Sequence, residues 1–306
     1  MKKHKLIVIS GPTAVGKTSF AVALAKLLKC PILSSDARQF YKEMCIGTAV
    51  PSKAEQQGVR HDFIQHLSIH DAYSVGDFEK DALSLLDEHF VKHSVVIMVG
   101  GSNLYNDAVV HGLDTFPEVS EKTKEYWQLQ YEEKGLTYLQ QELQKLDPDY
   151  FQTVDQYNHV RLFRALHICT VAGKPYSSFL GQNRKQRDFD AISIEICMPR
   201  AQLYDNINRR VDSMMEKGLL AEAKVLHPHK HLNALQTVGY RALFRYFEGE
   251  KSIDEAVADI KTNTRRFAKR QLTWLRNHPC THKLPYDTAV NTAVSYTHLT
   301  LPTTVS

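Results

Sequence analysis

Residues 11–18 read Gly11-Pro12-Thr13-Ala14-Val15-Gly16-Lys17-Thr18, a glycine-rich loop closed by Lys-Thr. A loop of this kind, a P-loop, aims successive backbone N–H groups at one point, and the helix that follows adds the positive field of its N-terminus. Gly11 and Gly16 let the backbone wrap closely around phosphate oxygens. Lys17 adds a point charge, and the Thr18 hydroxyl can hold a Mg²⁺. The chemistry is polyphosphate binding, with hydrolysis, transfer and displacement all open. Asp36 is the second candidate, inside Ser34-Ser35-Asp36-Ala37-Arg38-Gln39-Phe40-Tyr41. A carboxylate beside a phosphate site can order Mg²⁺ or its water, or take a proton from a nucleophile. Gly100-Gly101-Ser102-Asn103 follows a strand-like run and reads either as a plain strand-to-helix turn with a Ser cap or as a functional turn.

Several cationic segments stand apart from these. Arg161 and Arg164 lie three residues apart, hence on one helix face. Gln236-Thr237-Val238-Gly239-Tyr240-Arg241 reads as a short loop leading into a helix. A late stretch carries Lys261, Arg265, Arg266, Lys269, Arg270 and Arg276, with few carboxylates after Asp259. Each could be an ordinary solvated surface; the last leans toward polyanion contact.

The elements that must hold these residues follow from the apolar pattern. A strand over about 5–10, the glycine-rich loop and an apolar helix-forming stretch, Ser19 to Leu28, open a βα unit. Pro31 to Ser35 reads as a second strand and Asp77 to Val91 as a helix. The continuous apolar run Val95 to Val99 suits a strand buried on both faces of a parallel sheet. Residues 120–187 are rich in Glu, Gln, Lys, Tyr and Leu and read as helices broken at Gly135, Asp147-Pro148 and Gly173-Lys174-Pro175. Ile192, Ile194 and Ile196 alternate with polar residues and return the chain to a strand. Helices then run from about Ala201 to Gly218 and from about Ile253 to Asn277. The fold class is α/β, a P-loop NTPase-like parallel sheet core with an inserted all-helical domain. The expected division is 1–112 with 191–287 for the core and 113–190 for the insertion. Residues 288–306 show no period, and Ser295 to Pro302 resembles translated adapter sequence, so this tail is expected to be non-native and disordered.

Composition narrows the class of protein. A hydrophobic fraction of 43% over 306 residues supports a real core, and 24% charged residues suit a soluble protein. No apolar run reaches the length of a membrane span, and no signal peptide is read at the start. The five cysteines are scattered, which points to free thiols in a cytoplasm. A net charge of +4 does not by itself mark a nucleic-acid binder.

Taken together, the segments GPTAVGKTS, SSDARQFY, MCIGTAVP, YSVGDF, VGGSNLY, VRLFRALH with GKP after it, NRRVDSMMEKGL, QTVGYRAL and TRRFAKRQLTWLRN resemble the tRNA dimethylallyltransferases of bacterial type. The resemblance spans about residues 5–285. It departs at Ala37, where Ser is usual, at Asn103 for a common Gly, and at His167 for a common Glu. It implies transfer of a dimethylallyl group from dimethylallyl diphosphate to N6 of the adenosine 3′ of the anticodon. On the same ground, residues 11–18 hold the diphosphate with Mg²⁺ on Thr18, Arg210 contacts the diphosphate, and Asp36 is the base, so Asp36, Thr18 and Arg210 form the catalytic set. The implied tRNA contacts are Asp36, Ala37, Arg38 and Gln39; Ser102 and Lys124; Val160, Arg161, Leu162, Phe163 and Arg164; and Gln236, Thr237, Val238, Gly239, Tyr240 and Arg241. The expected partners are tRNA through its anticodon stem-loop and dimethylallyl diphosphate, with no membrane, for a cytoplasmic monomer. An adenylate dimethylallyltransferase acting on free AMP or ATP and a small-molecule P-loop kinase are the rival readings.

Overall fold

The structure, a computed structural model, describes residues 4–181, 185–278 and 280–296. It divides into two compact units, Met1–Val110 with Arg187–Ser306, and His111–Gln186.

The first unit is built on six parallel strands: β1 (His4–Ser10), β2 (Ile32–Ser34), β3 (His61–Asp62), β4 (Val95–Val99), β5 (Phe189–Cys197) and β6 (His282–Pro285). Their order is β3-β2-β4-β1-β5-β6. Ile7 pairs with Ile97 on one side and Ile192 on the other, which puts β1 at the centre. Side chains of successive residues point to opposite faces. Leu6 and Val8 therefore enter one core with Val96 and Met98, while Ile7 and Ile9 enter a second with Ile97 and Val99. This two-sided burial is why β1 and β4 read as unbroken apolar runs.

Around the sheet lie α1 (Lys17–Leu28), α2 (Lys53–Gln56), α3 (Val75–Phe90) and α4 (Asn103–His111). The second unit holds α5 (Glu121–Leu146), α6 (Pro148–Thr153) and α7 (His159–Ala172). The chain then returns to the first unit as α8 (Arg200–Glu216), α9 (Leu219–Leu226), α10 (Val238–Phe247), α11 (Ile253–Asn277) and α12 (Val290–Tyr296). Helix starts are written locally. Ser74 with Asp77 and Ser252 with Glu255 form reciprocal capping boxes at α3 and α11.

The second unit has its own core, with Trp127, Leu139, Leu143, Leu162 and Leu166 buried together. Buried Asp147 caps α6 through the N–H of Tyr150 and also accepts from the N–H and hydroxyl of Ser177. Gly135, at φ 73°, interrupts α5 where the sequence placed a break.

Three features differ from the sequence reading. Strands β3 and β6 were not anticipated; two and four residues carry too little period to register. Residues 187–190 group with the sheet, because Phe189 already pairs with His4 at the start of β5. The expected disordered tail begins with a helix, α12, whose Val294 is buried against the core that α1 lines; residues 297–306 lie outside the described residues. No helix among the described residues is long and apolar enough to cross a membrane.

Candidate active site

Strands β2, β4 and β1 are neighbours, so the loops leaving their C-terminal ends emerge side by side. Those loops are the Asp36 segment, Gly100-Gly101 and the P-loop. Crevices at the carboxyl edge of such sheets are where ligands bind. The edge is stitched by Ser35 N–H to the Val99 carbonyl (2.8 Å) and Gly100 N–H to the Ile9 carbonyl (3.4 Å).

Gly11 carries φ 147°, and a Cβ there would lie 2.8 Å from the Ile196 carbonyl oxygen, so only glycine fits. Gly16, in the left-handed region, caps α1 with no side chain. The first-turn N–H groups of α1 thus remain available to an anion. The ammonium of Lys17 donates to the Pro12 carbonyl at 2.8 Å. Burial pushes it down to about 8, partly offset by attraction to Asp36 and reinforced by the nearby Arg210 cation. Burial likewise lowers the Arg210 guanidinium from its ordinary value, against the pull of Asp36 and Glu55. Two cations are thus held close to one carboxylate in a desolvated place, a field suited to a multivalent anion.

A cavity of about 70 Å³ has Lys17, Thr18, Asp36 and Arg210 in its wall, with Thr13, Gly100, Gly101 and Phe267. A larger open pocket of about 1470 Å³ shares Lys17, Thr18 and Arg210 and adds Lys53, Arg209 and Lys217. Oδ1 of Asp36 accepts from the Arg38 N–H at 3.2 Å. Among the described residues nothing donates to Oδ2 or engages the Thr18 hydroxyl. No group of three or more His, Cys, Asp or Glu among them could cage a metal. A Mg²⁺ carried by a diphosphate needs only one or two protein oxygens, the rest coming from phosphate and water. The Thr18 hydroxyl fits that requirement.

The expected tRNA contacts divide into two groups. In the first unit, the Arg38 guanidinium donates to the carbonyls of Asn233 (2.9 Å) and Ala234 (3.0 Å), which joins the Asp36 segment to the stretch before Gln236. Ser102 accepts the Ala37 N–H at 3.1 Å and completes that cluster. Gln39 is turned inward, its amide donating to the carbonyls of Thr48 and Ala49. Tyr240 is 0% exposed and cannot touch a macromolecule; its hydroxyl donates to Glu222 at 2.6 Å. Gln236, Thr237, Val238, Gly239 and Arg241 keep some exposure.

In the second unit, a groove of about 710 Å³ is lined by Lys124, Val160, Phe163, Arg164 and His167 along with Phe116 and Gln128. The α7 positions 160, 163, 164 and 167 share one face, as helical spacing requires. Arg164 sits over the Phe116 ring at 5.0 Å, and Lys124 pairs with Glu121 at 2.6 Å. Burial, then the Lys124 charge, lowers the His167 imidazole. Leu162 is 0% exposed and belongs to the core, so its side chain is no contact residue. On α11, Lys261 pairs with Asp212 and Arg265 donates to Asn208, so these two cations of the late stretch are engaged within the unit.

Two site residues escaped the sequence reading. Buried Gln271 on α11 accepts the Thr13 N–H (2.9 Å) and donates to the Gly101 carbonyl (2.8 Å), clamping the P-loop to the neighbouring turn. It was legible as a polar residue in phase with buried Ala268 and Leu275. His61 also lines the cavity. Its Nδ1 donates to the Val59 carbonyl at 2.9 Å, leaving Nε2 an acceptor without a partner among the described residues. Burial lowers the pKa of this imidazole, against the pull of the Val59 carbonyl and Asp62. No pattern in the sequence signalled it.

The profile of the IPP transferase family matches residues 39–278. The chain belongs to the IPP transferase family. The P-loop lies before that matched span, so its assignment rests on its own geometry and on the relatives. A tRNA dimethylallyltransferase of Christiangramia forsetii is 53% identical over 274 residues, covering 90% of this chain and 91% of the relative. One from Flavobacterium psychrophilum is 51% identical over 277 residues, covering 89% and 90%. Among solved structures, a full-length tRNA isopentenylpyrophosphate transferase from Bacillus halodurans superposes with a TM-score of 0.70 at 35% identity, over 97% of this chain and 95% of that one. A eukaryotic dimethylallyltransferase acting on tRNA shares the fold, with a TM-score of 0.82 at 22% identity over 96% of this chain and 79% of its own.

Proposed function

We propose that this chain transfers the dimethylallyl group of dimethylallyl diphosphate to N6 of the adenosine 3′ of the anticodon in tRNA. The observation that carries the reading is the single cavity wall shared by Lys17, Thr18, Arg210 and Asp36. The P-loop amides, Lys17 and Arg210 hold the diphosphate. They stabilise the charge it gains as the allylic C–O bond breaks and the electron pair leaves with oxygen. The exocyclic nitrogen, conjugated with the ring, is a poor nucleophile. It forms the new N–C bond as its proton passes to Asp36. Holding both reactants in one small space removes much of the entropic barrier. A Mg²⁺ held by Thr18 would supply further charge neutralisation on the leaving group.

The target base must leave its stack to reach such a cavity. The helical unit, with its basic and aromatic groove, suits a macromolecular acceptor, which free AMP does not require. The names of the relatives favour tRNA over both the adenylate and kinase readings. The protein acts as a cytoplasmic monomer on this reading.

The test is incubation with labelled dimethylallyl diphosphate, Mg²⁺ and total tRNA, followed by nucleoside analysis. Label on N6 of adenosine, without ATP, is the expected result. A strict ATP requirement with ADP release, or equal turnover of free AMP, overturns it.

A further inference from the structure

The carboxylate of Glu222, on α9, is saturated. Its Oε2 accepts the backbone N–H groups of Cys45 (3.0 Å) and Ile46 (2.8 Å), and its Oε1 accepts the N–H of Gly47 (2.9 Å) and the hydroxyl of Tyr240 (2.6 Å). An ionised carboxylate offers about four lone-pair sites, and all four find a donor here. Three consecutive amides of one loop are thus gripped by one side chain, which also holds the first turn of α10.

The grip is close enough to dictate sequence. A Cβ on Gly47 would lie 2.6 Å from the Tyr240 ring, so the loop reaches Tyr240 only as glycine. From there the loop passes toward the chemistry. The carbonyls of Thr48 and Ala49 accept from the Gln39 amide at 3.2 and 3.1 Å. Gln39 in turn accepts from the Ser34 hydroxyl at 3.4 Å, and its backbone N–H donates to the Asp36 carbonyl at 3.0 Å. Glu222 itself does not line the cavity that Asp36 and Gln39 share.

We infer that Glu222 is a positioning residue: by gripping residues 45–47 it fixes the loop that orients Gln39, and through Gln39 the segment presenting Asp36 to the acceptor. The same carboxylate, through Tyr240, ties that loop to the stretch 236–241. The inference rests on the prenyl-transfer reading of the site. Glutamine at 222 keeps the shape but replaces one acceptor oxygen with an NH₂ that only donates, so it cannot serve all four partners.

Steady-state turnover on tRNA and equilibrium binding of dimethylallyl diphosphate should be measured for the wild type, Glu222→Gln, Tyr240→Phe, Gln39→Met and the double variant Glu222→Gln with Gln39→Met. Glu222→Gln is expected to lower kcat about 10- to 100-fold, the scale of an ångström-size misplacement, while the diphosphate Kd moves less than about threefold. Tyr240→Phe, which leaves the three amide bonds intact, should cost about two- to tenfold in kcat. The double variant should be no worse than the weaker single variant, because both break one chain of contacts. Unchanged kcat in Glu222→Gln, or parallel loss of kcat and diphosphate affinity, or additive losses in the double variant, overturns the inference alone. If Glu222→Gln fails to fold, Tyr240→Phe and Gln39→Met decide by the same kcat-against-Kd split. Absence of prenyl transfer by the wild type overturns the functional reading and this inference with it.

Discussion

The P-loop cavity of the first unit and the groove of the second place cations in opposite ways. In the cavity, charged and polar groups are fixed by the protein itself: Lys17 on the Pro12 carbonyl, Thr13 on Gln271, Asp36 on the Arg38 amide. In the groove, Val160 is 64% exposed, and Arg164 rests on an aromatic face with no hydrogen bond to hold its angle among the described residues. A small ligand that reacts needs preorganised charge, since reorganising it during bond breaking costs rate. A large polyanion bound through many phosphates needs only a cationic surface, each contact contributing little and all of them screened by salt. The contrast supports the proposal that chemistry belongs to the first region and acceptor capture to the second.

The sharpest break of that contrast is Asp36→Asn. It should lower kcat about 10²- to 10⁴-fold while dimethylallyl diphosphate still binds, as read by rapid-quench turnover beside equilibrium binding. Near-normal turnover would remove the base from the cavity. Next, Lys17→Ala removes a charge-assisted contact of roughly 1.5–3 kcal/mol, so the diphosphate Kd should rise about 10- to 100-fold by calorimetry. A chelator should abolish turnover and Mg²⁺ restore it, if the diphosphate reacts as its metal complex.

Lys17 also predicts a pH effect. Its ammonium sits at about 8 in the free protein, below the ordinary lysine value. Diphosphate binding needs the charged form, so affinity should hold below that pH and weaken as pH rises through it. A flat affinity between pH 7 and about 9.5 would contradict the buried-cation account.

The helical unit, where Arg164 lines the groove and Arg161 lies exposed on the same helix, should respond more mildly. Arg161→Ala with Arg164→Ala should raise the tRNA constant and reduce the salt slope by about 2 if each cation meets a phosphate. Diphosphate affinity should stay nearly unaltered. Leu162→Ala provides the smallest effect on chemistry. It should destabilise the helical unit by about 2–5 kcal/mol in a thermal melt, as a core truncation does, without altering diphosphate affinity.

How much of this was legible depends on the range of the interactions involved. The P-loop and Asp36 were readable because each works within a few residues, as where Gly16 ends a loop and opens α1. Leu162 and Tyr240 were misjudged as contacts because a motif marks a segment, and the segment's periodicity sends every third or fourth side chain inward. Gln271 and Glu222 were passed over because their partners lie 258 and 175–177 residues away for the P-loop and the loop at 45–47.

The sequence by itself determined the parallel βα core, the helical insertion, and the residue types able to hold a diphosphate and accept a proton. Those follow from apolar period, glycine placement and charge, all properties of short stretches. Only the tertiary structure decided that Asp36, Lys17 and Arg210 share one cavity, that Gln271 clamps the P-loop, that His61 joins the wall, and that Lys261 and Arg265 are engaged within their own unit. Strand order β2-β4-β1 and the burial it creates set those juxtapositions. A contact between residues hundreds of positions apart leaves no local period to read, because it arises from packing two faces of a sheet and not from the chain's own turn-by-turn geometry.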